Sequence, residues 1–120
     1  MNRARGRAAE DAALRFLQAN GLSLLARNYR CRLGELDLVM RDGASLVFIE
    51  VRARGSGAFG GAAASIGAAK QRRLVAAARH FLMTHPRESR RPARFDAVLI
   101  SGPDGEDAPR WIRAAFDCGS

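Results

Sequence analysis

Apolar side chains recur along this chain in two rhythms. Over residues 3–19, Ala9, Ala13, Phe16 and Leu17 fall at helical spacing with Arg3, Arg7 and Arg15 around them, and Asn20-Gly21 follows as a left-handed stop. Three stretches of strand character come next, residues 22–30, 35–41 and 46–54. The hairpin signal Asp42-Gly43-Ala44-Ser45 joins the last two. Residues 55–65 are rich in Gly and Ala and read as a mobile loop. Residues 65–85 read as a second helix whose inner stripe is Leu74, Ala77, Ala78, Phe81 and Leu82. The polar run from Pro86 to Pro92 ends it. Residues 94–101 and 110–117 read as fourth and fifth strands separated by an acidic loop. The order α-β-β-β-α-β-β predicts an α/β sandwich: a three-stranded meander, a helical crossover and two further strands in a mixed five-stranded sheet flanked by helices.

The 120 residues fit one domain, and no run approaches the roughly 20 apolar residues that span a bilayer. The basic start, Met1 to Arg7, has no apolar signal-peptide core behind it, so a cytoplasmic location is expected. Charge changes the picture more. The net charge is +8, and Lys70 stands alone among arginines. Residues 1–94 hold 18 basic and 7 acidic residues, whereas residues 95–120 hold 2 basic and 5 acidic. A basic body facing solvent suits a polyanion, most often nucleic acid, although an arginine-rich composition also arises without one. Cys31 and Cys118 lie far apart, and with His80 and His85 they form no zinc spacing; both read as free thiols, and both histidines as surface residues.

The hairpin carries the most chemistry. Side chains alternate along a strand, so Glu35, Asp37 and Val39 are expected on one face, as are Phe48, Glu50 and Arg52 on the next strand. A turn symmetric about Gly43-Ala44 sets Asp37 opposite Glu50 and Glu35 opposite Arg52. Carboxylates so placed have Cβ atoms about 4.5–5.5 Å apart and repel, the more so when buried among Leu36, Leu38, Ile49 and Val51. A divalent cation resolves that repulsion, and Mg²⁺ commonly takes one or two carboxylates plus water and phosphate oxygens. The alternative is an open sheet face on which each acid pairs with an arginine. Lys70 lies about 40° from Leu74 around the second helix, within the apolar stripe. It either reaches back toward the sheet to meet a phosphate or snorkels at the helix end. Glu10 reads from composition alone as a solvated acid near a helix N-terminus.

The segments Gly6-Arg7-Ala8-Ala9-Glu10, Asn28-Tyr29-Arg30, Gly34-Glu35-Leu36-Asp37-Leu38-Val39, Val47 to Arg54, Lys70 to Leu74 and Arg94-Phe95-Asp96-Ala97-Val98 resemble the YraN-like family of small bacterial proteins. The resemblance runs through nearly the whole chain in one order. That family is similar in turn to PD-(D/E)xK nucleases, with archaeal Holliday-junction resolvases nearest in layout. The resemblance implies a restriction-endonuclease-like domain over residues 1–120, Mg²⁺ or Mn²⁺ as cofactor, DNA as partner and a possible homodimer. It also implies roles. Asp37 and Glu50 hold the metal, Glu10 supports it or its water, and Arg52 stands at the lysine of the E-x-K pair. Arg52 is a departure: it keeps the charge but cannot give up a proton near neutral pH.

Two functions follow as expectations. One is a metal-dependent endonuclease acting on structured or single-stranded DNA through Glu10, Asp37, Glu50 and Arg52. The other is a non-catalytic DNA-binding module on the same fold, its contacts drawn from Arg3, Arg5, Arg7, Arg54, Lys70 and Arg73. A protein-interaction domain with a decayed site is a third, blander possibility.

Overall fold

The computed structural model describes residues 2–53, 66–101 and 108–116, without the side chains of residues 2–5. The stretch expected to be a mobile loop, together with Arg54, most of the acidic loop and Cys118, lies outside the described residues. Helix α1 (Asn2–Ala19) leads into strands β1 (Ser23–Cys31), β2 (Gly34–Asp42) and β3 (Ser45–Ala53). Helix α2 (Ala68–Thr84) and a short 3₁₀ turn (Glu88–Arg90) carry the chain to β4 (Ala93–Ile100) and β5 (Arg110–Phe116). The sheet order is β1-β2-β3-β4-β5, with β3 and β4 parallel and the other neighbours antiparallel. The expected element order and mixed sheet are both present; the 3₁₀ turn is an addition.

Local chemistry explains the element ends. Gly21 sits at φ +96°. Its N–H donates to Gln18 O at 3.0 Å, and Leu22 N–H donates to Leu17 O at 3.1 Å, which together close α1 as a Schellman cap. The β2–β3 hairpin pairs Asp42 with Ser45, leaving Gly43-Ala44 as a two-residue loop. Gly43 supplies the positive φ, +61°, that its first central position demands.

The helices cover opposite faces of the sheet. Ala9, Ala13 and Leu17 of α1 pack with Val47 and Ile49, whereas Leu74, Ala77, Ala78 and Phe81 of α2 pack with Leu46 and Phe48. Successive residues of β3 point to opposite faces, so its side chains feed the two cores in turn. Each buried Leu, Ile or Phe contributes roughly 1.5–3 kcal/mol relative to exposure. Trp111 belongs to the α1 side, edge-to-face with Phe16, and its Nε1–H donates to the buried Asp96 at 2.9 Å.

The alternation fails at several places, with register shifts at Leu24/Ala26 and Phe95/Ala97, and one further break, in β2, positions the site. Leu36 packs on the α2 side and Leu38 on the α1 side, although two residues apart on one strand should share a face. The neighbouring strand does the same. Arg27 reaches Glu10 and Asp11 of α1, while Tyr29 packs edge-to-face on Phe81 of α2. Between them Asn28 adopts φ +55°, a left-handed conformation that Asn tolerates better than most residues. The ladder passes from Arg27↔Leu38 to Tyr29↔Leu36 across this step. The expectation that Glu35, Asp37 and Val39 share a face is therefore corrected: the strand rotates at Asp37, which separates Glu35 from the face of Val39.

Candidate active site

Strands β2 and β3 keep the register that a symmetric turn dictates, from Asp42↔Ser45 through Leu38↔Ile49. The regular pairing stops there, one residue short of Asp37, where the strand rotates; the Asp37 carboxyl nonetheless lies against Glu50 and shares a hydrogen bond with it. Glu50 is 8% exposed, so an open sheet face carrying simple surface ion pairs is not what forms. Asp37 Oδ2 accepts a hydrogen bond from Val51 N–H at 2.9 Å, which ties the carboxyl to the adjacent strand. Burial and the neighbouring Glu50 charge push the Asp37 pKa up to about 7. A hydrogen bond shared with Glu50 adds to this, and Val51 N–H and Lys70 oppose it.

Lys70 answers the question its position on the stripe posed. Its Nζ lies 3.3 Å from Glu50 Oε2, so the side chain reaches inward from the first turn of α2 to the sheet. Arg72 and Arg79 of that helix are exposed instead. Arg52 follows Glu50 on the same side of β3 by strand alternation; it is partly buried and engaged with the rest of the protein. Glu35 pairs with Arg30 at 3.1 Å.

Glu10 is not a plain solvated helix acid. Its side chain is 17% exposed, and Arg27 Nε approaches Oε1 at 3.5 Å. Burial first, and the Asp37 charge second, raise its pKa, against hydrogen bonds from Asn28 and Arg27 and the Arg27 charge. The Asp37 charge thus acts on Glu10 and the Glu50 charge on Asp37, but the three do not close into a cage: among the described residues no three His, Cys, Asp or Glu side chains converge as a metal-binding set. The convergent pair is Asp37 and Glu50, with Glu10 standing back beside Arg27.

This donor set fits a hard, water-rich cation. Two oxygen donors from a buried, mutually repelling carboxyl pair suit Mg²⁺ or Mn²⁺, which keep several waters and accept phosphate oxygens. They do not suit zinc, which favours His and Cys.

Two clefts flank the site. One, of about 230 Å³, is lined by Gly6, Arg7, Glu10, Asn28, Arg30 and Glu35. The other, of about 470 Å³, runs between the β1–β2 turn and α2 and is lined by Arg30, Arg32, Leu33, Gly34, Lys70 and Arg73 among others. Of the residues expected to contact nucleic acid, Arg7 lines the first and Lys70 and Arg73 the second. The side chains of Arg3 and Arg5, and all of Arg54, fall outside the described residues. Sequence reasoning assigned no role to Arg30, Arg32 or Asn28. The pattern Arg30-Cys31-Arg32 beside a turn was a visible signal for the first two.

A model of the uncharacterised protein family UPF0102 matches residues 9–100, spanning Glu10, Asp37, Glu50, Arg52 and Lys70. The chain belongs to the UPF0102 family. It is 60% identical over 121 residues to a UPF0102 protein of Paracidovorax citrulli, covering 98% of this chain and 85% of that one. Similar relatives occur in Nitrosomonas europaea, at 58% identity with 94% and 93% of the two chains covered, and in Nitrosococcus oceani, at 52% with 96% and 93%. This is the YraN-like family whose motifs the sequence resembles. Among the described residues, no helix is long and apolar enough to cross a membrane.

Proposed function

We propose that this UPF0102 protein binds nucleic acid, DNA in the first instance, and hydrolyses its phosphodiester backbone with a divalent metal held by Asp37 and Glu50. The observation that carries the proposal is the buried meeting of these two carboxyls with Lys70 Nζ 3.3 Å from Glu50. One lysine and one backbone N–H only partly offset two buried acids, and a site that tolerates the remaining cost has a cation, and through it an anionic ligand, to gain.

Each residue has a role in that chemistry. Arg30, Arg32 and Arg73 line the larger cleft and neutralise backbone phosphates. Lys70 holds positive charge where negative charge accumulates on the reacting phosphate. Glu10, whose proton affinity burial raises, orients the attacking water and takes its proton. Arg52 stabilises charge but accepts no proton. The metal, when bound, supplies Lewis-acid polarisation of the phosphoryl oxygen and a more acidic water.

Purified protein incubated with Mn²⁺ and with branched and linear DNA tests this directly. Nicking that disappears in Asp37→Ala supports it; cleavage that Asp37→Ala leaves unchanged comes from a contaminant and overturns it. Arg52 at the position of the lysine favours one second reading, binding without cleavage. That reading gives DNA affinity falling with log salt at a slope near −0.9 per neutralised phosphate, with no Mn²⁺ uptake.

A further inference from the structure

The turn between β1 and β2 presents an apolar tip set among cations. Leu33 is 58% exposed. Arg30, at the end of β1 and paired with Glu35, and Arg32, in the turn itself, precede it, and Lys70 and Arg73 line the same cleft from α2. Exposed Leu24 and Met83 lie elsewhere, at the start of β1 and near the end of α2. The turn is also held close against α2. A Cβ on Gly34 would stand 2.6 Å from the Arg73 carbonyl oxygen, so only glycine lets the two backbones come this close. Through Lys70 the cleft continues to Glu50, 3.3 Å away. A rigid apolar tip between guanidinium groups matches a broken base stack: the cations take the phosphates on either side, and the aliphatic side chain fills the gap between bases.

We propose that the Arg30–Gly34 turn is a wedge that seats Leu33 at an interruption in a base stack, so that the site selects forked, nicked or gapped DNA over continuous duplex. The proposal rests on the nucleic-acid reading of the same site and adds its substrate class. Opening an intact stack carries an unstacking penalty that an interrupted one has already met, which is the origin of the selectivity.

Fluorescence anisotropy without added metal tests it, using a labelled continuous duplex and a labelled fork of matched sequence, the fork carrying 2-aminopurine at its branch. Wild type binds the fork at least about tenfold more tightly and brightens the 2-aminopurine. Leu33→Ser, a change at an exposed position, lowers fork affinity to that of duplex, abolishes the brightening and leaves duplex affinity within about twofold; Leu33→Phe retains the preference. Equal, salt-dependent binding of fork and duplex by wild type overturns the wedge and leaves the nucleic-acid reading standing. A preference that survives Leu33→Ser also overturns the wedge. Absence of binding to either DNA at low salt overturns both.

Discussion

Lys70 Nζ reaches from the first turn of α2 to within 3.3 Å of Glu50 Oε2 on β3, joining a helix to the buried acid pair across the sheet face. Replacing it with Met removes the charge and keeps much of the stem. Lys70→Met lowers DNA cleavage by about 10²–10³, the usual loss for one electrostatic contact to a reacting group. Duplex binding falls by less than about tenfold, because Arg30, Arg32 and Arg73 still line the cleft. Single-turnover cleavage and equilibrium binding, measured side by side, check the split.

Arg52→Lys restores the lysine of the E-x-K pattern. Since Lys70 already brings an ammonium to Glu50, the exchange changes cleavage by less than about tenfold. A gain of about a hundredfold in the same assay would show instead that Arg52 cripples the native site.

Asp37 gives a pH dependence with a definite sign. Its pKa rises from an ordinary 3.8 to about 7 on folding, through burial and the nearby Glu50 charge. The metal-free folded state therefore holds a proton that the unfolded chain releases, and stability from this group is fully present below about pH 4 and is lost as pH rises through about 7. Asp37→Asn keeps an acceptor for Val51 N–H and cannot ionise. Without divalent metal, the variant melts several degrees above wild type at pH 8, and the gap narrows toward pH 5. Thermal unfolding at the two pH values checks this; a variant that melts lower at pH 8 would contradict it.

Gly34→Ala places a Cβ 2.6 Å from the Arg73 carbonyl oxygen, backbone against backbone. The strain costs about 1–3 kcal/mol, read by urea unfolding, and the displaced turn weakens fork binding more than duplex binding. An unfolding midpoint unchanged from wild type would show that the turn yields freely.

The elements and the acid pair were legible because local signals agreed with the global fold. Gly21 and Gly43 each supply the positive φ their turns require, and the two-residue loop then fixes the register as far as Leu38 and Ile49, the neighbours of Asp37 and Glu50. Lys70 was legible as an anomaly, a charge on an apolar stripe. Asn28 was not. Strict alternation along β1 and β2 hid the rotation there, because a left-handed residue inside a strand leaves no hydrophobic signature and its partner strand turns with it. Composition alone misread Glu10 as solvated for a related reason: Arg27, Asn28 and Asp37 reach α1 only through the fold.

Calorimetric titration of Mn²⁺ into the metal-free protein bears most directly on the acid pair as a cation site. Wild type takes up the ion at a site that weakens as pH falls below about 7 and that vanishes in both Glu50→Gln and Asp37→Asn. Uptake that persists in both variants, or a wild type that binds no Mn²⁺ at pH 8, would contradict it.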